Sequence, residues 1–216
     1  MKKIIFTIVV FFVSQVYSFG DNIIAFKFDE KELSSLDKRK PFGVKVETIY
    51  TVEKNENGNY LKAIADKGAS GVGKKIIINL NKTPFINITW KIEKDIKDRE
   101  ENTKNGHDFA ARVFVIKKTG ATALSNRAMS YVYSTNMNVG DNWKSPFTKK
   151  STDLVLSTTK ENFNEWISVK SNVKEDFKKF HNLELDEIDG IAIMTDADNS
   201  NSKAISYYQN IYFSAD

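Results

Sequence analysis

The chain has 216 residues, 41% of them hydrophobic and 28% charged, with a net charge of +4, two histidines and no cysteine. That length and apolar content suit one domain that buries about 70% of its unfolded surface, and the scattered basic residues lack the clustered face that nucleic acid requires. The missing cysteines exclude thiol catalysis, disulfide stapling and Cys-based zinc sites, and two histidines are too few for a histidine cluster.

The chain opens with Lys2 and Lys3, an apolar run from Ile4 to Val13, and then Ser14, Ser18 and Gly20 among the last residues before position 21. A basic start, an apolar run too short to span the ~30 Å hydrocarbon core and a small-residue ending together read as a cleavable secretory signal peptide over 1–20. Cleavage after Gly20 is preferred to cleavage after Ser18, and no cysteine follows to carry a lipid. The reading predicts a periplasmic or secreted protein with no stable membrane insertion once the leader is removed. The exported part then carries about +2, because Lys2 and Lys3 leave with the leader.

Beyond Gly20 the sequence alternates with period two and is rich in Ile, Val, Tyr, Phe and Thr, the pattern of half-buried strands. Strands are predicted at 23–28 and 44–52, a hairpin turn at Asn57-Gly58, and further strands at 60–66, 74–79 and 85–92. In the last of these Ile86, Ile88, Trp90 and Ile92 share one face while Asn87, Thr89, Lys91 and Glu93 share the other. Residues 95–106, "DIKDREENTKNG", hold almost nothing apolar and read as a long, mobile loop. Strands follow at 109–116, 128–134, 153–157 and 166–171. Asn172 then caps a short helix over 173–182, with Glu175 three residues on and Val173, Phe177 and Phe180 on one face. The last strands are 188–195 and 205–213. Strands 109–116 and 188–194 are apolar on both faces, so each belongs at the centre of a sheet, with the helix as the candidate cover. The expected architecture is a single all-β domain over 21–216, a jelly-roll-like antiparallel sandwich of two sheets with one short helix.

Three groups of residues could carry function. The turn "DADNSN" spaces its acids as a calcium-binding EF-hand loop does at its start. However, position six is Asn201 where glycine is needed, and position twelve is Tyr207 where glutamate is needed. A tight turn is preferred; a ligand contact, or a looser calcium site from Asp196, Asp198 and Asn199, are the alternatives. Asp108 and Arg112 fall on one face of their strand. A lone arginine among apolar residues must meet an anion, which points either to an internal pair with Asp196 or Asp189 or to a donor fork aimed at a ligand. Tyr131 and Tyr133, on one strand face, and Trp143, in a Gly-Asp-Asn turn, are the candidate rings for stacking on sugars.

The strings "LKAIADKGASG", "ITWKIEK", "HDFAARVFV", "NRAMSYVYS", "NEWISVKSNVKEDFKKF" and "IDGIAIMTDADN", in this order, resemble the bacterial family catalogued as domain of unknown function 3047, over about 42–213. The resemblance implies an exported β-rich domain, similar in fold to the jelly rolls of carbohydrate-binding modules, in which Asp108, Arg112, Trp166, Asp176, Asp196 and Asp198 match motif positions. His107 stands where a second acid is expected before Asp108, which weakens any cation site there. The favoured reading is a non-catalytic binding module with a glycan or another envelope component as partner. Its ligand set is Asp108, Arg112, Tyr131, Tyr133, Trp143, Asp196 and Asp198, with no cofactor unless calcium binds. A structural or protein-interaction domain of the cell envelope is the alternative, and an enzyme acting on polysaccharide comes third.

Overall fold

A computed structural model describes residues 22–122 and 125–216, so the signal-peptide reading of 1–20 lies outside the described residues. In chain order the elements begin β1 (Ile23–Ile24), α1 (Glu30–Ser35), β2 (Asp37–Arg39), β3 (Ile49–Asn55), β4 (Gly58–Asp66), β5 (Ala69–Asn79) and β6 (Phe85–Lys94). They continue with β7 (Ala111–Lys117), β8 (Arg127–Ser134), β9 (Asn142–Lys144), β10 (Ser151–Thr158), β11 (Ile167–Asn172), α2 (Val173–His181), β12 (Glu187–Asp196) and β13 (Lys203–Ser214). One sheet has the order β11-β6-β13-β4-β3 with β1 added to β13, and the other has β2-β5-β12-β7-β8-β10-β9. The two sheets form the predicted all-β sandwich.

The core forms where the period-two pattern turns its apolar side inward. Ile86, Ile88, Trp90 and Ile92 of β6 are completely buried, and they meet Val113, Val115, Tyr131, Ile191 and Ile193 from the opposite sheet in one cluster. Each such side chain taken out of water contributes about 1.5–3 kcal/mol. Trp90 keeps its one polar atom satisfied by donating Nε1–H to Ser157 Oγ at 2.9 Å. Strands β7 and β12 are neighbours in the middle of their sheet, as their two-faced apolar sequence requires.

Several elements depart from the sequence expectation. Helix α1 and the short strands β2 and β9 carry too few apolar residues to show a period. The first predicted strand stops at Ile24, and Phe28 takes a positive φ of 52°. The second begins only at Ile49, because Thr48 is held by side chains: its N–H donates to Ser70 Oγ at 3.0 Å and its hydroxyl to the Thr195 carbonyl at 2.6 Å. The sheets are not wholly antiparallel, since β8 and β10 run parallel. The 95–106 loop is pinned rather than loose. Glu101 is buried, accepts from the Ser134 hydroxyl and takes the Thr135 N–H at 2.7 Å, while Asp95 accepts from Thr159 Oγ1 at 2.5 Å.

Helix α2 forms as its caps predict. Glu175 N–H donates to Asn172 Oδ1 at 3.1 Å, and Asn182 closes the last turn in the left-handed region at φ 53°. Val173 and Phe177 enter the core, and Asp176 accepts from Tyr131 Oη at 2.7 Å and Ser171 Oγ at 2.6 Å. The helix packs against β6, β8 and β11. It therefore adds to the core between the sheets and does not cover the outer face of β7 and β12.

At the end of α2, His181 Nε2–H donates to the Ala128 carbonyl at 3.0 Å. Burial, then the nearby Lys144 and Arg127, pull its pKa down from 6.5 to about 4. Because the folded value lies below the unfolded one, the unfolded chain binds more protons between these limits, and stability is lost as pH falls from about 6.5 towards 4. Allowing for the solvent that reaches this half-buried ring, the loss attributable to it is roughly 1–2 kcal/mol. His181→Gln should remove that part of the acid sensitivity, measured by urea unfolding at pH 7 and pH 4.5. Identical pH dependence in the two proteins would show that the ring does not carry it.

Candidate functional site

The outer face of the seven-stranded sheet can be read from strand register. Gly73, Ala192, Phe114, Ser130 and Asp153 lie side by side across β5, β12, β7, β8 and β10. The neighbouring row runs through Gly71, Met194, Arg112, Val132 and Val155 on the same strands. Small residues along the middle of this face leave a trough. At one end, where the 196–201 turn meets the segment between β9 and β10, the trough deepens into a cavity of about 450 Å³ lined by His107, Arg112, Phe147, Ser151, Asp153 and Asp198. Phe42 and Phe147, both exposed, stand at its rim.

Arg112 is only 5% exposed, and its guanidinium pairs directly with Asp196. The rings of Phe109 and Phe114 lie 5.3 Å and 5.2 Å from it. Such a stack holds the planar cation in place through the ring quadrupoles. Asp196 also takes the Phe109 N–H at 3.1 Å. Burial raises the Asp196 pKa against the pull of Arg112, with Asp108 and Asp198 adding to the rise. Burial, then Asp108, raises Asp198 as well. His107 Nε2 lies 2.9 Å from Asp153 Oδ2, both residues are buried, and Phe109 and Phe147 meet the imidazole edge-on at 5.2 Å and 5.4 Å.

The predicted site residues separate into four groups. Arg112, Asp196 and Asp198 line the cavity. Asp108 stands behind it and fixes the turn, accepting from Asn199 N at 3.2 Å, Asn199 Nδ2 at 3.1 Å and Ser200 N at 2.6 Å. Tyr131 and Tyr133 are corrected: as side chains 0% and 1% exposed they face the core, where Tyr131 donates to Asp176 and Tyr133 to the Asn162 carbonyl, so neither can stack on a ligand. The strand alternation was right but its inward side was misassigned. Trp143 is half-buried, stacked on Phe109 at 6.3 Å, and supports the wall from behind. Asp153, Ser151, Phe147 and Phe42 were missed. An acid in the apolar string "DLVLS" carries the same signal as the arginine in "RVFV", and the ring in "SPFTKK" has no apolar neighbours to pack with.

Carboxylate oxygens of Asp108, Asp196 and Asp198 come within 4.8 Å of one another, the arrangement a cation would use. Those of Asp108 already accept three N–H groups, and Asp196 is taken by Arg112 and the Phe109 N–H. A cation there must compete with a guanidinium already in place. More telling are the five buried side-chain polar atoms that have no hydrogen-bond partner among the described residues: Arg112 Nε, Ser130 Oγ, Trp143 Nε1, Ser151 Oγ and Asp153 Oδ1. All five fall on β7, β8, β10 and β9, which are adjacent in the sheet, and three of the residues line the cavity.

The profile of a family described as "Protein of unknown function (DUF3047)" matches residues 37–212. No curated protein matches the chain. Among solved structures, the chain is similar to TmCBM61 in complex with β-1,4-galactotriose, at 10% identity and TM-score 0.42 over 89% of this chain and 99% of that one. It is also similar to the family 30 carbohydrate-binding module of the cellulosomal cellulase Cel9D-Cel44B of Clostridium thermocellum, at 7% identity and TM-score 0.48 over 91% and 94% of the two chains. A third is the xyloglucanase domain of NopAA from Sinorhizobium fredii in complex with cellobiose, at 11% identity and TM-score 0.44 over 82% and 92%.

The buried pair generates a stability prediction. Arg112→Met leaves Asp196 desolvated without its cation and should cost about 3–5 kcal/mol, whereas adding Asp196→Asn to that variant should recover much of the loss. Urea unfolding of the two single variants and the double variant measures the coupling, and simply additive losses would mean that the pair does not act as a unit.

Proposed function

The chain belongs to the family described as "Protein of unknown function (DUF3047)", a description that fixes no activity, and we propose that this member is an exported, non-catalytic module that binds a glycan in the cavity on the outer face of its seven-stranded sheet. One observation carries the reading. Unpartnered buried polar atoms are rare in folded proteins and each costs on the order of 1–3 kcal/mol, yet of the five among the described residues three, on Arg112, Ser151 and Asp153, belong to side chains that line this single cavity. A ligand rich in hydroxyls supplies both donors and acceptors to such a set, with the rotamer adjustments that accompany binding.

The rim supports the same chemistry. Phe42 and Phe147 give flat apolar surfaces of the kind that pack against the C–H faces of sugar rings. The acids are held as acceptors: Asp153 by His107, Asp196 by Arg112 and the Phe109 N–H, and Asp108 by three N–H groups. Acids fixed in this way orient hydroxyls. Binding on this reading requires no cofactor.

The test is a glycan array followed by calorimetry on the glycan that binds. Phe42 and Phe147 are exposed, at 107% and 58%, so Phe42→Ala and Phe147→Ala should leave the unfolding temperature unchanged. Each should weaken binding about fivefold, the worth of one stacked ring at about 1 kcal/mol. Unchanged affinity in the double variant would remove the cavity from consideration as the site.

A further inference from the structure

The trough does not end at the first cavity. Along β12 the outward residues are Asp196, Met194, Ala192 and Gly190 in succession, and the first two line the cavity already described while the last two line another, of about 360 Å³. Strand β7 repeats the arrangement, with Arg112 and Phe114 in the first cavity and Ile116 in the second. From Asp196 to Gly190 the distance is about 20 Å at the rise of an extended strand. The two recesses therefore lie end to end on the same pair of strands.

Glycines form the floor of the second recess, Gly71 and Gly73 of β5 beside Gly190 of β12. A Cβ on Gly73 would stand 2.7 Å from the Ala192 Cβ, so close packing of the strands keeps that position bare. The walls are charged. Lys74 is taken by Glu32 at 2.6 Å, and Asp189 is answered by the Lys118 N–H at 2.8 Å and by Lys117 Nζ at 3.1 Å. What remains is Arg39, Lys75 and Lys118 facing the single carboxylate of Asp37, and among the described residues none of the three cations is in a salt bridge. The first cavity has the opposite balance, with Asp153, Asp196 and Asp198 against Arg112.

From this polarity we infer that the second recess is a subsite for an anionic group, and that the ligand is an acidic heteroglycan. It lies along β7 and β12 with a neutral sugar at the acidic, aromatic-rimmed end and a carboxylate-bearing sugar at the Arg39, Lys75 and Lys118 end. The inference rests on the glycan reading of the first cavity and adds the charge and the direction of the bound chain. Like charges repel at the acidic end and opposite charges attract at the basic end, so a chain alternating neutral and acidic units fits better than a uniformly charged one.

A suitable probe is a hyaluronan octasaccharide, which alternates the two kinds of unit, compared with the same octasaccharide after methyl esterification of its carboxylates. Calorimetry on the wild type should show esterification weakening binding about tenfold. In the triple variant Arg39→Gln, Lys75→Gln, Lys118→Gln, the two forms should bind alike. A control variant, Lys62→Gln, Lys91→Gln, Lys170→Gln, removes the same charge from the other sheet and should keep the tenfold preference. If the wild type binds both forms equally, or the triple variant keeps the preference, or the control loses it, the anionic subsite is wrong while glycan binding in the first cavity stands. Failure of both forms and of every arrayed neutral glycan to bind the wild type would overturn the two readings together.

Discussion

The outer face of the seven-stranded sheet is organised by one interaction, the buried pair of Arg112 and Asp196. A guanidinium and a carboxylate taken out of water cost several kcal/mol each unless geometry and further hydrogen bonds compensate. Compensation comes from the Phe109 and Phe114 rings on the cation and the Phe109 N–H on the anion. The pair joins β7 to the end of β12, and Asp108 then fastens the following turn through the Asn199 and Ser200 N–H groups. The acidic turn that resembles a calcium loop in sequence is thus built around a cation supplied by the protein itself.

Much of the fold was legible in the sequence because period-two alternation is a direct consequence of pleat geometry. Ile86, Ile88, Trp90 and Ile92 were assigned inward and are fully buried, and α2 was recognised from its cap and its apolar stripe. The site was legible only in part. Arg112 stood out as a charge in an apolar string and Asp196 as the first acid of the turn after one, whereas alternation alone could not say which side of β8 faced the core. Tyr131 and Tyr133 are amphipathic rings, and each buries its body while its hydroxyl reaches a partner at the edge of the core. Phe147 and Asp153 meet His107 and Arg112 only through strand order, which no single sequence displays.

The two faces of the central strands also explain why the apolar pattern misled about the helix. A strand such as β7, with Val113 and Val115 inward and Phe114 and Ile116 outward, implies a cover for its second face. Among the described residues no helix supplies one, because α2 spends Val173 and Phe177 on the core between the sheets. The outward apolar residues instead line two recesses whose walls carry charges of opposite balance.

The parallel pairing of β8 with β10 decides the shape of that face. Antiparallel neighbours can be closed by a two-residue turn, but parallel ones require the chain to travel back along the whole length of the strand before pairing. Here the return journey is residues 135–150, and on the way it lays down β9, packs Trp143 against Phe109 and delivers Phe147 to the rim. Reversing the direction of one strand would delete this detour, and the groove would keep Phe42 but lose Phe147 from its lip.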